Sequence, residues 1–130
     1  MSIVFTNGCF DIIHRGHIEL LEFCSTLGDK VIVGLNSDKS VRLLKGQNRP
    51  INNQNDRKML LEAIKYVDNV IVFEEETPYN LICKIKPDII VKGGDYKAKD
   101  VVGANVAKVV IFDYVKGYST TKSIQDITSR

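Results

Sequence analysis

Short apolar runs alternate along the chain with segments whose apolar residues recur at helical spacing. The runs of strand length cover residues 3–6, 30–35, 70–73, 89–91 and 108–112. Helical spacing appears at 20–27 (ended by Gly28), 41–44, 60–67, 81–85 (preceded by Pro78) and after Ser119. Strands with little polar alternation, separated by amphipathic helices, are typical of parallel sheets. The pattern predicts one α/β domain over residues 1–130: a doubly wound, five-stranded parallel sheet with helices on both faces.

This fold class also indicates where a site should lie. In doubly wound sheets, ligands bind beyond the carboxyl ends of the strands, where the strand order reverses. The segments that follow Thr6, Leu35, Val91 and Phe112 are therefore the places to search for functional residues.

Composition excludes several classes of protein. With 44% hydrophobic and 26% charged residues, the chain is not expected to be disordered. Its 18 basic and 16 acidic residues are interspersed, so a nucleic-acid partner is not predicted. No apolar run is long enough to cross a membrane and no signal peptide is visible. Three cysteines without CxxC spacing, Cys9, Cys24 and Cys83, indicate reduced thiols and a cytoplasmic location.

The segment after the first strand carries the chain's two histidines, His14 and His17, on either side of Gly16. If the first helix begins here, both imidazoles lie at its positive end beside free backbone N–H groups, an arrangement that binds anions. Gly16 lets a phosphate approach the main chain without a side-chain collision. Two alternatives stay open. The histidines could merely cap the helix, or Cys9, His14 and His17 could bind zinc, although no fourth ligand stands at finger-like spacing.

Two further segments carry unusual chemistry. Before the last predicted helix, Ser119 is a good N-cap, and Thr120 and Thr121 place hydroxyls beside unsatisfied amides. Lys122 would oppose the helix dipole there, a conflict that a bound triphosphate removes; the alternative is a plain capped helix with a solvated lysine. The paired glycines within 92–96 let a planar ligand or a ribose lie against the backbone, or simply form a turn.

Isolated basic residues add candidates for phosphate contacts. These are Lys45, Arg57 and Lys92, with solvated surface positions as the alternative. The dinucleotide motif GxGxxG and the P-loop motif GxxxxGK[ST] are both absent, so neither an NAD enzyme nor a P-loop NTPase is predicted.

These motifs together resemble a known family. The HxGH sequence at 14–17, with Ser-Thr-Thr at 119–121, looks like the cytidylyltransferase-like nucleotidyltransferases. Further matching segments, at 6–17, 33–38, 43–50, 91–96 and 117–121, resemble the bacterial D-glycero-β-D-manno-heptose 1-phosphate adenylyltransferases. The resemblance implies a Rossmann-like homodimer that transfers AMP from ATP, with Mg²⁺, to a sugar 1-phosphate. The products are an ADP-sugar and pyrophosphate, formed by direct in-line displacement.

The resemblance also implies roles for individual residues. His14 and His17 would contact the triphosphate and stabilise the transition state, and Lys45 would steer phosphate as a third catalytic residue. Arg57 would help to order the site, and Asp11 would orient the histidines or reach the metal. Nucleotide binding would involve Thr6, Asn7, Gly8, Cys9, Phe10, Asp11, Gly16, Arg57, Lys92, Gly93, Gly94, Asp95, Gly117, Ser119, Thr120 and Thr121.

The chain departs from the family pattern in two ways. The stretch 103–108 is several residues short, so the helix before the last strand is expected to be clipped or replaced by a loop. These domains are often fused to a sugar kinase, and this chain carries the nucleotidyltransferase part by itself.

Glycerol-3-phosphate cytidylyltransferase is the alternative enzyme. That family typically carries Arg-Thr-Glu-Gly at the place where residues 114–117 of this chain read Tyr-Val-Lys-Gly, so the heptose enzymes are the better match. A non-catalytic nucleotide sensor is the alternative outside enzymes, and the intact histidine pair argues against it.

Overall fold

The computed structural model describes residues 1–94 and 97–113 of the chain. Its strands are β1 Ile3–Gly8, β2 Lys30–Asn36, β3 Asn69–Phe73, β4 Ile89–Gly93 and β5 Lys108–Phe112. Its helices are α1 Arg15–Leu27, α2 Asp38–Lys45, α3 Gln54–Glu62, α4 Tyr79–Ile85 and a 3₁₀ turn at Ala98–Asp100. Each of the five predicted apolar runs is a strand. The helix predicted after Ser119 lies outside the described residues.

All strand pairs in the sheet are parallel, and the spatial order is β3-β2-β1-β4-β5. The chain therefore builds outward from β1 in one direction and then crosses back to its other side, so the order reverses between β1 and β4. This confirms the doubly wound α/β fold.

The core lies on both faces of the sheet because successive strand residues point to opposite sides. One cluster contains Val4, Val33 and Val91, packed with Leu21 of α1 and Leu61 of α3. The other cluster contains Phe5, Ile32 and Ile90, packed with Ile82 of α4. The strands are thus apolar on both sides, as the sequence pattern indicated. No helix in the described part of the chain combines the length and apolar character that a bilayer crossing requires.

The third helix is displaced from its predicted position. It begins at Gln54 because the Asn53 side chain accepts a hydrogen bond from the Asp56 N–H and so caps it, and it ends at Glu62. As a result Leu60, expected on the buried face, is half exposed, and Leu61 is buried instead. Ile64 and Val67 pack against the core from a turn rather than from the helix.

The short stretch before β5 is a series of turns, as its reduced length indicated. Hydrogen bonds from the N–H groups of Ala104 and Val106 to the carbonyls of Val101 and Gly103 form these turns. Gly103 has a positive φ of 94°, and a Cβ there would lie 2.7 Å from the Ile90 side chain. The missing side chain is what lets this connection lie flat on the sheet.

Candidate active site

A cavity of about 680 Å³ opens at the carboxyl ends of the central strands, where the strand order reverses. The residues predicted for the site that line it are Thr6, Asn7, Gly8, Cys9, Phe10, His14, His17, Lys45, Lys92, Gly93 and Gly94. Ten further residues that were not predicted for the site also line it: Leu20, Asn36, Leu44, Arg49, Glu76, Thr77, Pro78, Asp100, Val101 and Val102. A cavity of this size matches the range of small-molecule sites.

The floor of the cavity is formed by the end of β1. Paired residues of β1 and β4 extend to Phe5 and Ile90, and one residue further the Thr6 hydroxyl donates to the Val91 carbonyl at 2.9 Å. Beyond Gly8 the chain turns sharply at Phe10, which has a positive φ of 46°. The Phe10 ring folds back over Gly8, where a Cβ would lie 3.1 Å from it. Glycine at position 8 therefore leaves room for this turn at the cavity wall.

The two histidines form the cap of α1 and stack on each other. The Nδ1 of His14, the N-cap residue, accepts from the Gly16 N–H at 3.1 Å. The Nδ1 of His17 accepts from the His14 N–H at 3.2 Å, which completes a capping box. The rings are 3.9 Å apart and nearly parallel. Because both Nδ1 atoms accept, each neutral imidazole carries its proton on Nε2. Capping, one of the two alternatives, thus fixes the tautomer and leaves Nε2–H as the donor.

Burial makes this pair neutral. It lowers the pKa of His17 to about 3, with the neighbouring His14 contributing in the same direction. Burial also lowers the pKa of His14. Near neutral pH both rings are therefore N–H donors at the positive end of a helix, and they can bind an anion without being charged themselves.

Cationic side chains line the same cavity. Lys92 lies on β4, Lys45 ends α2, and Arg49 follows in the next loop. Burial lowers the pKa of Lys92, and the charge of Lys45 acts in the same direction. Glu76 and Asp100 are the carboxylates among the described lining residues. The balance of charge favours an anionic ligand.

Cys9 lies in the cavity wall but is not prepared for chemistry. Burial raises the pKa of its thiol, against the opposing effect of nearby Lys45, Arg57 and Arg49. Among residues 1–94 and 97–113, no group of three or more His, Cys, Asp or Glu side chains could hold a metal ion. The zinc alternative of Cys9, His14 and His17 is therefore not assembled.

Arg57 is placed differently from the predicted phosphate contact. Its side chain is fully buried and does not line the cavity. Nη1 donates to the carbonyls of Cys9 and Asn36, both at 2.7 Å, and Nε donates to the Asn52 carbonyl. Nη2 forms an ion pair with Asp38 at 2.8 Å. The guanidinium holds together the segments that surround the cavity, as in the ordering role that the resemblance implies, and it lies away from the cavity where its predicted phosphate contact would be.

Asp11 and Gly16 also take other places than predicted, since neither lines the cavity. The Asp11 carboxylate is fully buried and accepts from the N–H groups of Ile51 and Asn52 and from Arg49 Nε. Its hydrogen bonds order the loop that carries Arg49, Ile51 and Asn52. Gly16 is buried in the first turn of α1, where its N–H serves the cap. The predicted residues Asp95, Gly117, Ser119, Thr120 and Thr121 lie outside the described residues.

The lining residues that were not predicted differ in whether the sequence could have indicated them. Asn36 directly follows Leu35, in a segment that the strand-end rule had already marked. Arg49 and the stretches at 76–78 and 100–102 reach the cavity through turns and loops, for which apolar periodicity gives no signal, although Arg49 lies in the segment 43–50 that resembles the family.

A family model described as cytidylyltransferase-like matches residues 5–126. The chain is 57% identical over 128 residues to the bifunctional protein HldE of a Nitratiruptor species, covering 98% of this chain and 28% of that protein. It is 56% identical to the bifunctional protein HldE of Campylobacter concisus over 127 residues, covering 97% of this chain and 27% of that protein. The chain therefore spans little more than a quarter of the length of these relatives.

Solved structures show the same fold. A lipopolysaccharide core biosynthesis protein from Thermoplasma volcanium GSS1 matches with a TM-score of 0.72 and 32% identity, covering 92% of this chain and 99% of that one. A protein with unknown function from Archaeoglobus fulgidus matches with a TM-score of 0.71 at 16% identity, covering 94% and 96%, which is a likeness of fold alone.

Proposed function

Because the chain belongs to the cytidylyltransferase-like family, we propose that it transfers AMP from ATP to a sugar 1-phosphate and releases pyrophosphate. An oxygen of the sugar phosphate forms the new bond to the α-phosphorus of ATP. The bond from that phosphorus to the bridging oxygen breaks, and pyrophosphate leaves with the electron pair. The product is an ADP-sugar, and no covalent intermediate with the protein forms.

The histidine pair carries this proposal. In-line displacement needs little covalent help from the protein, so catalysis depends on positioning and on stabilising the charge that builds up on phosphate oxygens. His14 and His17 are stacked, held by their Nδ1 atoms and neutral, which leaves two Nε2–H donors at the α1 N-terminus. Preorganised donors of this kind need little reorganisation free energy when the transition state forms, because their orientation is already fixed.

The cations and the metal complete the proposed site. Lys45 and Lys92 line the cavity and would neutralise the triphosphate. Mg²⁺ typically binds through substrate phosphates with one or two carboxylates, and of the described lining residues Glu76 and Asp100 offer such groups. Mg²⁺ fits as a companion of ATP, where it would reduce the negative charge of the phosphates. On the resemblance, Ser119 and Thr120 would hold the β- and γ-phosphates.

The acceptor that we propose is D-glycero-β-D-manno-heptose 1-phosphate. Relatives named HldE are 54–57% identical across almost the whole chain, and a similar structure is titled as a lipopolysaccharide core biosynthesis protein. A cytoplasmic location and a homodimer are further proposals that rest on the resemblance. Sedimentation velocity of the purified chain tests the dimer.

Pyrophosphate release tests the reaction directly. ATP, CTP, GTP and UTP are each combined with β-heptose 1-phosphate, α-heptose 1-phosphate and glycerol 3-phosphate, all with Mg²⁺. We expect release with ATP and the β-heptose phosphate. Release with CTP and glycerol 3-phosphate would instead identify a glycerol-3-phosphate cytidylyltransferase. ATP binding without release from any pair would favour a nucleotide sensor.

A further inference from the structure

Arg49 lies at the cavity edge in a position that the reaction proposed above does not explain. Its side chain is largely buried, 14% exposed, and Nε pairs with Asp11 Oδ2 at 3.1 Å. The Asp11 carboxylate is itself fully buried. A buried pair of this kind is costly to assemble unless its remaining hydrogen-bonding groups find partners.

Asp11 is well satisfied by its neighbours. Its two oxygens accept from the Ile51 N–H at 2.8 and 2.9 Å and from the Asn52 N–H at 2.8 Å. The Asn52 side chain in turn donates to the Asp11 carbonyl at 2.6 Å. The carboxylate therefore fixes the loop that carries Arg49, and it engages that arginine through Nε alone.

The Arg49 guanidinium is less completely satisfied than its partner. Nη2 is buried, and no atom in the described part of the chain accepts a hydrogen bond from it. Arg57, by contrast, directs Nε, Nη1 and Nη2 at acceptors. Arg49 also lines the cavity, together with Lys45 and Lys92, whereas Arg57 does not.

We propose that Arg49 binds a phosphate group of a substrate through its Nη atoms while Asp11 holds Nε. A guanidinium presents its donors as a planar fork that matches phosphate oxygens, and pairing one edge with a carboxylate orients the other. Asp11 is then a positioning residue. The proposal rests on the proposed function for its phosphate ligands. The ligand is either the ATP triphosphate or the acceptor phosphate, which share this chemistry.

Arg49→Lys and Arg49→Gln test the contact, with Arg42→Gln as the matched control because Arg42 is an exposed arginine on α2 outside the cavity. Lysine keeps a charge for Asp11 but cannot serve the carboxylate and a phosphate together. Calorimetry measures the affinities for ATP with Mg²⁺, for adenosine and for β-heptose 1-phosphate. We expect affinity for one phosphate ligand to fall on the order of 10-fold or more in both variants. Adenosine affinity and the control should stay unchanged.

The ligand that loses affinity identifies the source of the phosphate. Weaker ATP binding with unchanged adenosine binding assigns Arg49 to the triphosphate, and weaker sugar-phosphate binding assigns it to the acceptor. Unchanged affinity for both phosphate ligands overturns the proposal, and so does an equal loss for ATP and adenosine. If the wild-type chain releases no pyrophosphate with any acceptor, the proposed reaction fails, but the affinities for ATP, adenosine and the sugar phosphate still decide the role of Arg49. Should Arg49→Gln unfold, Arg49→Lys supplies the result.

Discussion

Two stretches of chain meet at the cavity and are built on opposite principles. The first stretch, 6–17, runs from the end of β1 into α1 and carries its histidine pair locally, since His14 accepts from the Gly16 N–H and His17 from the His14 N–H. The second stretch, 45–57, runs from the end of α2 into α3. Its important contacts join residues that are far apart in the chain, such as Arg49 to Asp11 and Arg57 to Cys9.

The two stretches have different roles in the proposed site, since the first supplies the histidines and the second supports the cavity wall. The first stretch contributes two neutral imidazoles to the lining of the cavity, whereas Arg57 of the second stretch keeps its charge away from it. Arg57 of the second stretch and Asp11 of the first are fully buried, and each bonds main-chain groups of the other stretch. A rigid site requires such support, because donors aid catalysis only while they are held in place.

The largest expected effect is loss of this support. Arg57→Ala leaves the carbonyls of Cys9, Asn36 and Asn52 without their donor and opens a hole in the core. We expect the free energy of unfolding to fall by roughly 3–5 kcal/mol, as for other broken buried charge networks. Urea denaturation measures it, with the exposed Arg42→Ala expected within about 0.5 kcal/mol of wild type. A loss no larger than that of the control would contradict the support role.

The next effect concerns the first stretch. His17→Ala removes one Nε2–H donor, and we expect the turnover number to fall about 100- to 1,000-fold, as when one preorganised donor is removed from an oxyanion site. Affinity for ATP should weaken much less, because the interaction is strongest in the transition state. Pyrophosphate release and calorimetry measure the two quantities, and circular dichroism checks the fold. An unchanged turnover number would remove His17 from the mechanism.

The same contrast explains what could be predicted from the sequence. The fold followed from apolar runs, because strands buried on both faces need apolar residues on both sides. The first stretch followed from spacing, because a histidine at each end of HxGH meets the other within one helical turn. Both features depend on neighbours in the chain.

The second stretch could not be predicted in the same way. Arg57 and Arg49 are both arginines in a polar segment, and their different environments depend on partners up to 48 positions away in the chain. Leu60 was expected to be buried, but Leu61 is buried in its place, because the cap at Asn53 determines where α3 begins and which of its residues face the core. Distant partners and caps leave no periodic signal.

Acid should weaken the fold through the histidine pair. Because the pKa of His17 is about 3 in the folded chain against an ordinary 6.5, the unfolded chain binds more protons between these values. Stability is therefore lost as pH falls below about 6.5, by about 2 kcal/mol on reaching pH 5 from this residue. Urea denaturation at pH 7.5, 6 and 5 should show a shallower loss for His17→Gln than for wild type. Parallel losses in the two proteins would contradict a neutral, buried His17.

The smallest expected effect is at Cys9, which shares the cavity wall with the histidines but is held by the second stretch. Its carbonyl accepts from Arg57, so the backbone of this residue is what the support uses. Burial raises the pKa of the thiol, and direct displacement at phosphorus has no step for a sulfur nucleophile. Cys9→Ser should therefore keep the turnover number within about threefold and leave the unfolding midpoint unchanged, since a serine of similar size leaves the backbone contact with Arg57 intact. A large loss of turnover in a folded Cys9→Ser protein would show that the side chain, and not only the backbone, takes part in the reaction. Cys9 would then have two roles, one in the reaction through its side chain and one in the support of the cavity wall through its backbone.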